Sequence, residues 1–302
     1  MPNSPFHPSN MKKLLTLLVA ASLFMNGCKK DDDNNDTVSV PKLLVKLQVD
    51  STQARLGNIG TPVSVPAGHA AQSPRFHKIA AHYLELAPNA YTLLGAGAIL
   101  YHAPETTAGG STAIDFSRSK VVAPGEVFLE IPLKDIPAGS YNWVRLSLSY
   151  QNYDVDYYLN GISTQGTIAS FVGYNTYLIN YTVNTQSLTV NGNRLQGYWG
   201  FETLGIVRDG QAPPGATTVP NPLFATSPIP QGSCVVTGQF ATPLTITGSE
   251  SRDIVATMSL STNNSFEWVD SDGNGRWDVN TSTMTIDTVV DMGLRGLIPS
   301  WQ

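Results

Sequence analysis

The stretch Asn142–Leu159 reads NWVRLSLSYQNYDVDYYL, and it decides the fold class. Apolar and polar residues alternate through its first half and again through its second, the period-two signature of strands with one buried face. The phase of the alternation changes in the middle, at Gln151-Asn152. A two-residue turn there predicts a hairpin in which Tyr150 pairs with Tyr153, Leu148 with Val155, Leu146 with Tyr157 and Val144 with Leu159. One face is then apolar throughout, so register and hydrophobic pattern agree. The other face presents Trp143, Arg145, Ser147, Ser149, Asp154, Asp156 and Tyr158.

Outward from this stretch the chain repeats the same grammar. Lys42–Val49, Ala98–Tyr101, Val127–Leu133, Asn175–Val183 and Asp253–Leu260 are short runs rich in β-branched, aromatic or alternating residues, separated by Gly, Pro, Asn or Ser. Asn191-Gly192 supplies the positive φ of a type I′ turn and predicts a second hairpin. One short helix is expected around His77–Leu86, between Pro74 and Pro88. With 26 Gly, 20 Pro and no long 3.6-residue period, the fold class is all-β, an antiparallel β-sandwich with long loops. Residues 211–232 carry six prolines and exclude strand pairing. They are a surface excursion or a linker, and the small size of the C-terminal piece beyond them favours a return to the same core, giving one domain over 42–302.

Ahead of that domain the chain is an address. Lys12-Lys13 precede an apolar run, Leu14–Phe24, which is of signal-peptide length and too short to span a bilayer. Residues 1–10 fit no signal peptide, so Met11 is the expected start. Met25-Asn26-Gly27-Cys28 resembles the lipobox of bacterial lipoproteins, which implies cleavage after residue 27, lipidation of Cys28 and an outer-membrane location. Residues 28–41 form a tether with no apolar residue to bury until its end. The acidic run Lys29-Lys30-Asp31-Asp32-Asp33 resembles the surface-export signal of Bacteroidota-type lipoproteins, which implies a cell-surface protein.

The formal charge is −5, and cleavage before Cys28 removes Lys12 and Lys13, taking it to −7. An acidic chain with no basic block gains nothing from counterion release, so nucleic acid is excluded as a partner. Membrane contact falls to the lipid. Lipidation of Cys28 leaves Cys234 without a disulfide partner, and the domain is held by its core. Cys234 has no basic neighbour in sequence to activate it and reads as a buried hydrophobe.

The sharpest motif is Asp270-Ser271-Asp272-Gly273-Asn274-Gly275-Arg276-Trp277-Asp278. Asp270, Asp272, Asn274 and Asp278 fall at positions 1, 3, 5 and 9 of a calcium loop, the Arg276 carbonyl at 7, and Gly275 at the sharp turn. It resembles the loops of EF-hand and dockerin-type repeats. Thr281 stands where those place a bidentate Glu, so Glu267, Asp287 or Asp291 is expected to complete the site. The alternative is a metal-free Asp/Gly turn. Calcium here would brace the loop.

His69, His77, His82 and His102 crowd one segment, yet none of the spacings of a zinc protease occurs. The succession Pro74–Leu86 (PRFHKIAAHYLEL), Ala98–His102, and Ile136–Tyr141 leading into Trp143-Val144-Arg145-Leu146 resembles the MbnP-like secreted β proteins over the first half of the domain. That resemblance implies a β fold and, for some members, copper handling. The copper members have an oxidisable Trp two residues from a His, and this chain has no such pair.

Hydrolysis finds no G-x-S-x-G elbow. Asp154 and Asp156 lie on one strand face and point the same way, whereas a glycosidase needs two carboxyls across a sugar. A glycan-active enzyme is therefore an alternative without a catalytic pair. The same face suits recognition: Trp143, Arg145, Asp156 and Tyr158 join aromatic surface to directional polar groups, as a glycan or protein ligand would need. The sequence thus predicts a lipid-anchored, non-catalytic binding or scaffold protein with a structural calcium loop.

Overall fold

The computed structural model describes residues 40–57, 61–212, 227–230 and 232–302. The signal segment, Cys28, the acidic tether and most of 211–232 lie outside the described residues. Apart from two 3₁₀ turns, Phe116–Arg118 and Leu133–Asp135, the regular structure described is all strand. The first third holds β1 (Lys42–Asp50), β2 (His69–Gln72), β3 (Arg75–Ala87), β4 (Ala98–His102), β5 (Glu105–Thr106) and β6 (Ala113–Asp115). The middle holds β7 (Val121–Val122), β8 (Val127–Pro132), β9 (Gly139–Leu159), β10 (Ile162–Phe171), β11 (Asn175–Thr182), β12 (Ser187–Leu195), β13 (Tyr198–Thr203) and β14 (Ile206–Gln211). The last third holds β15 (Cys234–Ile246), β16 (Ile254–Ser261), β17 (Phe266–Val269), β18 (Asp278–Asn280), β19 (Thr285–Ile286), β20 (Val289–Met292) and β21 (Arg295–Trp301).

The spine is β9, one strand of 21 residues. Its partners overlap in a way that assigns its two edges. Along one edge runs β3, against residues 143–154, followed by β18 at 158 and 159. Along the other runs β15, against 139–148, followed by β10 against 150–159. Strands β13 and β14 extend this sheet beyond β10, β4 and β7 beyond β3, and β19 beyond β18. Three smaller sheets complete the molecule, in the orders β21-β16-β1-β8, β12-β11-β6-β5 and β2-β17-β20.

The first of these builds the main core with the large sheet. Alternation in β1 buries Leu43, Val45 and Leu47 completely, and β16 supplies Ala256, Met258 and Leu260 beside them. They meet Val144, Leu146 and Leu148 of β9 with Leu84 and Leu86 of β3. Further along β9 the apolar contacts change phase: Tyr153, Val155 and Tyr157 pack with Phe266, Trp268 and Trp277. Tyr150 turns to the opposite face and joins Phe171, Leu178 and Tyr181 under the β11 sheet.

That change of phase is where the predicted hairpin fails. Gln151 and Asn152 lie inside β9, and there is no turn. In the pairing with β3, Ala80 faces Tyr150 and its neighbour Ala81 faces Leu148, so Ser149 is an extra residue. This β-bulge shifts the alternation by one. A bulge and a two-residue turn leave the same mark on a hydrophobic pattern, which is why the pattern favoured the turn.

Two other expectations are corrected. The segment read as a helix, His77–Leu86, is strand β3, buried on both faces from Ile79 through Ala87. A strand covered on both sides loses its period of two and reads like a helix. The predicted turn at Asn191-Gly192 lies inside β12: Val190 and Asn191 together oppose Ile179, and Asn191 takes φ +48° at this second bulge. The turn comes at Gln196-Gly197, where Gly197 has φ +86° and the chain passes to β13 in the large sheet.

Candidate metal centre

β3 carries two bulges of its own, and each puts a histidine at the extra position. His77 is inserted between Phe76 and Lys78, which face consecutive β9 residues, and His82 between Ala81 and Tyr83, which face Leu148 and Ser147. A bulge re-aims its side chain. His82 turns toward the end of β4, where His102 pairs across from Tyr83, and the Ala103 amide donates to the His82 carbonyl at 2.7 Å. The chain then passes Pro104 and presents Glu105 at the start of β5.

Three ligand-type atoms converge there. His82 Nε2 lies 3.1 Å from His102 Nε2 and 3.1 Å from Glu105 Oε1, and the third side of the triangle, His102 Nε2 to Glu105 Oε1, is 3.5 Å. Atoms bound about 2.0–2.1 Å from a tetrahedral ion stand about 3.3 Å apart. Among the described residues this is the group of His, Cys, Asp and Glu side chains with metal-site spacing. His82 is fully buried, whereas the His102 and Glu105 side chains are 42% and 27% exposed, so the triangle opens to solvent on one side.

Its surroundings favour a charged Glu105 carboxylate and a neutral His82 imidazole. Burial, the largest influence, pushes the His82 pKa down, and the nearby His102 adds to it. The hydrogen bond from His82 holds Glu105 below the usual carboxylate range, aided by Tyr174, whose hydroxyl donates to Oε1 at 2.9 Å. The Tyr174 ring stands 5.4 Å from His82, and Tyr83 meets His102 edge-on at 5.9 Å. His82 Nδ1 is buried with no hydrogen-bond partner. The polar contacts of the ring are made by Nε2, within the triangle.

The other two histidines go elsewhere. His77 Nε2 pairs with Asp154 Oδ2 at 2.9 Å, and His69 Nδ1 with Glu267 Oε1 at 2.6 Å, the latter in a buried network with Arg55 and Arg295. Glu105 was missed at the sequence level. The signal was its place three residues after His102.

The predicted calcium loop, Asp270–Asp278, is wound compactly. Asp270 accepts the amides of Asn274 and Gly275 at 3.2 and 2.9 Å. Asn274 Nδ2 donates to Asp272 and Asp278, each at 2.7 Å, so its amide sits between the two carboxylates. Of the three outside carboxylates considered, Asp287 reaches the loop, accepting from the Ser271 hydroxyl at 2.6 Å and the Asp278 amide at 3.0 Å. The Arg276 carbonyl accepts from the Trp268 indole at 2.8 Å.

The predicted recognition face does not assemble. With β9 continuous, Arg145 and Asp156 are eleven positions apart, roughly 36 Å at the strand rise. Arg145 is buried, 3.7 Å from Glu85, and donates to the carbonyls of Ala90 and Thr92. Trp143 is half-buried at the same end of the strand. Asp156 pairs with Arg75 at 2.9 Å, and Tyr158 lies under the Arg276 guanidinium at 4.5 Å. Asp154 is held by Thr167 and His77, so no two carboxyls face each other there. Cys234 is a free thiol whose pKa burial pushes up to about 12, the environment of an inert cysteine.

No family model, curated protein or solved structure matches this chain. Its function is read from its own geometry.

Proposed function

We propose that the chain is a lipid-anchored protein of the outer membrane, displayed at the cell surface, whose β-sandwich binds a first-row transition-metal ion through His82, His102 and Glu105 without catalysing a reaction. The observation that carries the metal reading is the triangle of 3.1, 3.1 and 3.5 Å among two imidazole nitrogens and a carboxylate oxygen. Two neutral imidazoles and one carboxylate suit zinc or copper(II), with the open side left for water or a further ligand. The anchoring and the location rest on the sequence around Cys28 and the acidic run after it.

Isothermal titration of the metal-free protein with zinc and with copper(II) tests this. The expected result is one ion per chain, with affinity lowered at least tenfold in His102→Ala and in Glu105→Gln. Equal binding by wild type and both variants would refute it.

Calcium in the 270–278 loop is a second, compatible reading, favoured by the approach of Asp287 from outside the loop. The ion would displace the Asn274 amide nitrogen, and the side chain would turn its oxygen inward. Calcium is expected to raise the melting temperature of the wild type but not of Asp272→Asn/Asp278→Asn. An unchanged wild-type melting temperature counts against the site.

A further inference from the structure

A cleft of about 770 Å³ lies over the face of β9, β10 and β13 that carries Leu148, Ile168 and Phe201, bounded on its other side by residues 286–294. Trp199, Trp277 and Met292 also line it. Its volume falls in the range of small-molecule sites, and its walls are mostly apolar, as theirs are. His82, His102 and Glu105 do not line it.

Two polar atoms of the wall, Asp291 Oδ2 and Gln151 Oε1, have no hydrogen-bond partner, and of these Asp291 is ion-paired with Arg295. Gln151 lines the cleft, is 1% exposed and donates its Nε2 to the Met292 carbonyl. That carbonyl also accepts from the Tyr153 hydroxyl at 2.8 Å. Flipping the Gln151 amide would set oxygen against oxygen, so the orientation is dictated. Oε1 is left with no hydrogen-bond partner. Buried acceptors in folded proteins are almost always paired, and an exception calls for a reason.

The charges lining the cleft limit what can supply the missing donor. Asp287 and Asp291 are buried in the wall, and Arg208, the one basic residue among the described residues lining it, is exposed. Arg295 already pairs with Asp291, and Asp287 accepts from Ser271 and Asp278, so an anionic head group would find no buried cation left to pair with, whereas a neutral O–H or N–H would meet an acceptor. We infer that this cleft binds a neutral, largely apolar small molecule whose single hydroxyl or N–H donates to Gln151 Oε1, such as a long-chain alcohol or an arylamine.

The test uses the full chain carrying Cys28→Ser, so that no attached acyl chain competes, titrated with the fluorescent arylamine N-phenyl-1-naphthylamine. Saturable binding of one probe per chain is expected, with displacement by dodecan-1-ol at least tenfold better than by dodecanoate. Gln151→Leu is expected to weaken the probe about five- to tenfold, the loss of one hydrogen bond. Ile206→Glu, at an exposed rim position on β14, provides a second variant that keeps the core intact and is expected to weaken it as well. No saturable binding, or binding unchanged in both variants, overturns the site. Dodecanoate competing as well as dodecanol overturns the neutral head group, and a loss confined to Ile206→Glu overturns the role of Gln151.

Discussion

Arg145 shows how one residue can carry the signature of a binding site and be part of the core. It is 4% exposed, and beside it Glu85 is wholly buried, accepting from the Tyr83 hydroxyl at 3.0 Å and from the Gly95 and Gly97 amides at 2.8 and 2.6 Å. Removing the guanidinium leaves that carboxylate charged in the interior. Arg145→Ala is expected to cost about 3–5 kcal/mol in urea unfolding while leaving metal affinity alone. His82 yields a pH prediction. Its folded pKa lies below the ordinary 6.5, chiefly through burial, so between the two values the unfolded chain binds the extra proton. Stability from this group is complete above pH 6.5 and is lost as pH falls through the window below it. Glu105, depressed below 4.5 chiefly by its hydrogen bond from His82, adds a loss of the same sign at lower pH. The melting temperature of the metal-free protein is expected to drop as pH falls below 6.5, and to drop less in His82→Gln.

At the scale of elements, bulges do much of what turns were expected to do. The all-β class was legible because β1, β8, β11 and β16 are covered differently on their two faces or bounded by clear turn residues. Strand β3 was not, because it is buried on both faces through its middle and imitates a helix, and β9 was legible as strand but not as one strand, because its phase shift imitates a hairpin. The same irregularity hid the direction of His82, which as the extra residue of a bulge does not follow the alternation of its strand. Deleting Ser149 removes the bulge and leaves Tyr153, Val155 and Tyr157 on the face of Leu148, whereas inserting one residue between Asn152 and Tyr153 would turn them away from Phe266 and Trp277. The insertion is expected to abolish the cooperative thermal transition followed by circular dichroism, whereas Ser149→Ala, which keeps the backbone count, is expected to change stability by less than about 1 kcal/mol.

At the scale of the whole molecule, the C-terminal third is structural. β15 runs along β9, and β16 lies between β1 and β21, contributing Ala256, Met258 and Leu260 to the main core. A chain ending at Gly248 lacks those residues and leaves one edge of β1 unpaired. It is expected to be digested by trypsin within the time in which the full chain resists, and limited proteolysis of the two side by side checks this. The composition of 211–232 admitted a linker to a separate piece, and sequence patterns do not reveal which distant strands will pair. The calcium-type loop was legible as a motif, with Asp287 among the carboxylates expected to approach it, whereas the cleft at Gln151 has no sequence signature because its walls come from several strands distant in sequence.

The parallel pairing of β1 with β16 runs from Leu43 against Ile254 to Asp50 against Ser261. The first strand of the domain to emerge in synthesis must therefore wait, along one edge, for a partner roughly two hundred residues behind it. Closing so long a loop is entropically slow, and an apolar strand with a free edge is prone to wrong pairing meanwhile. For a chain delivered N-terminus first, β1 can pair with β8 early but keeps its other edge open until β16 arrives.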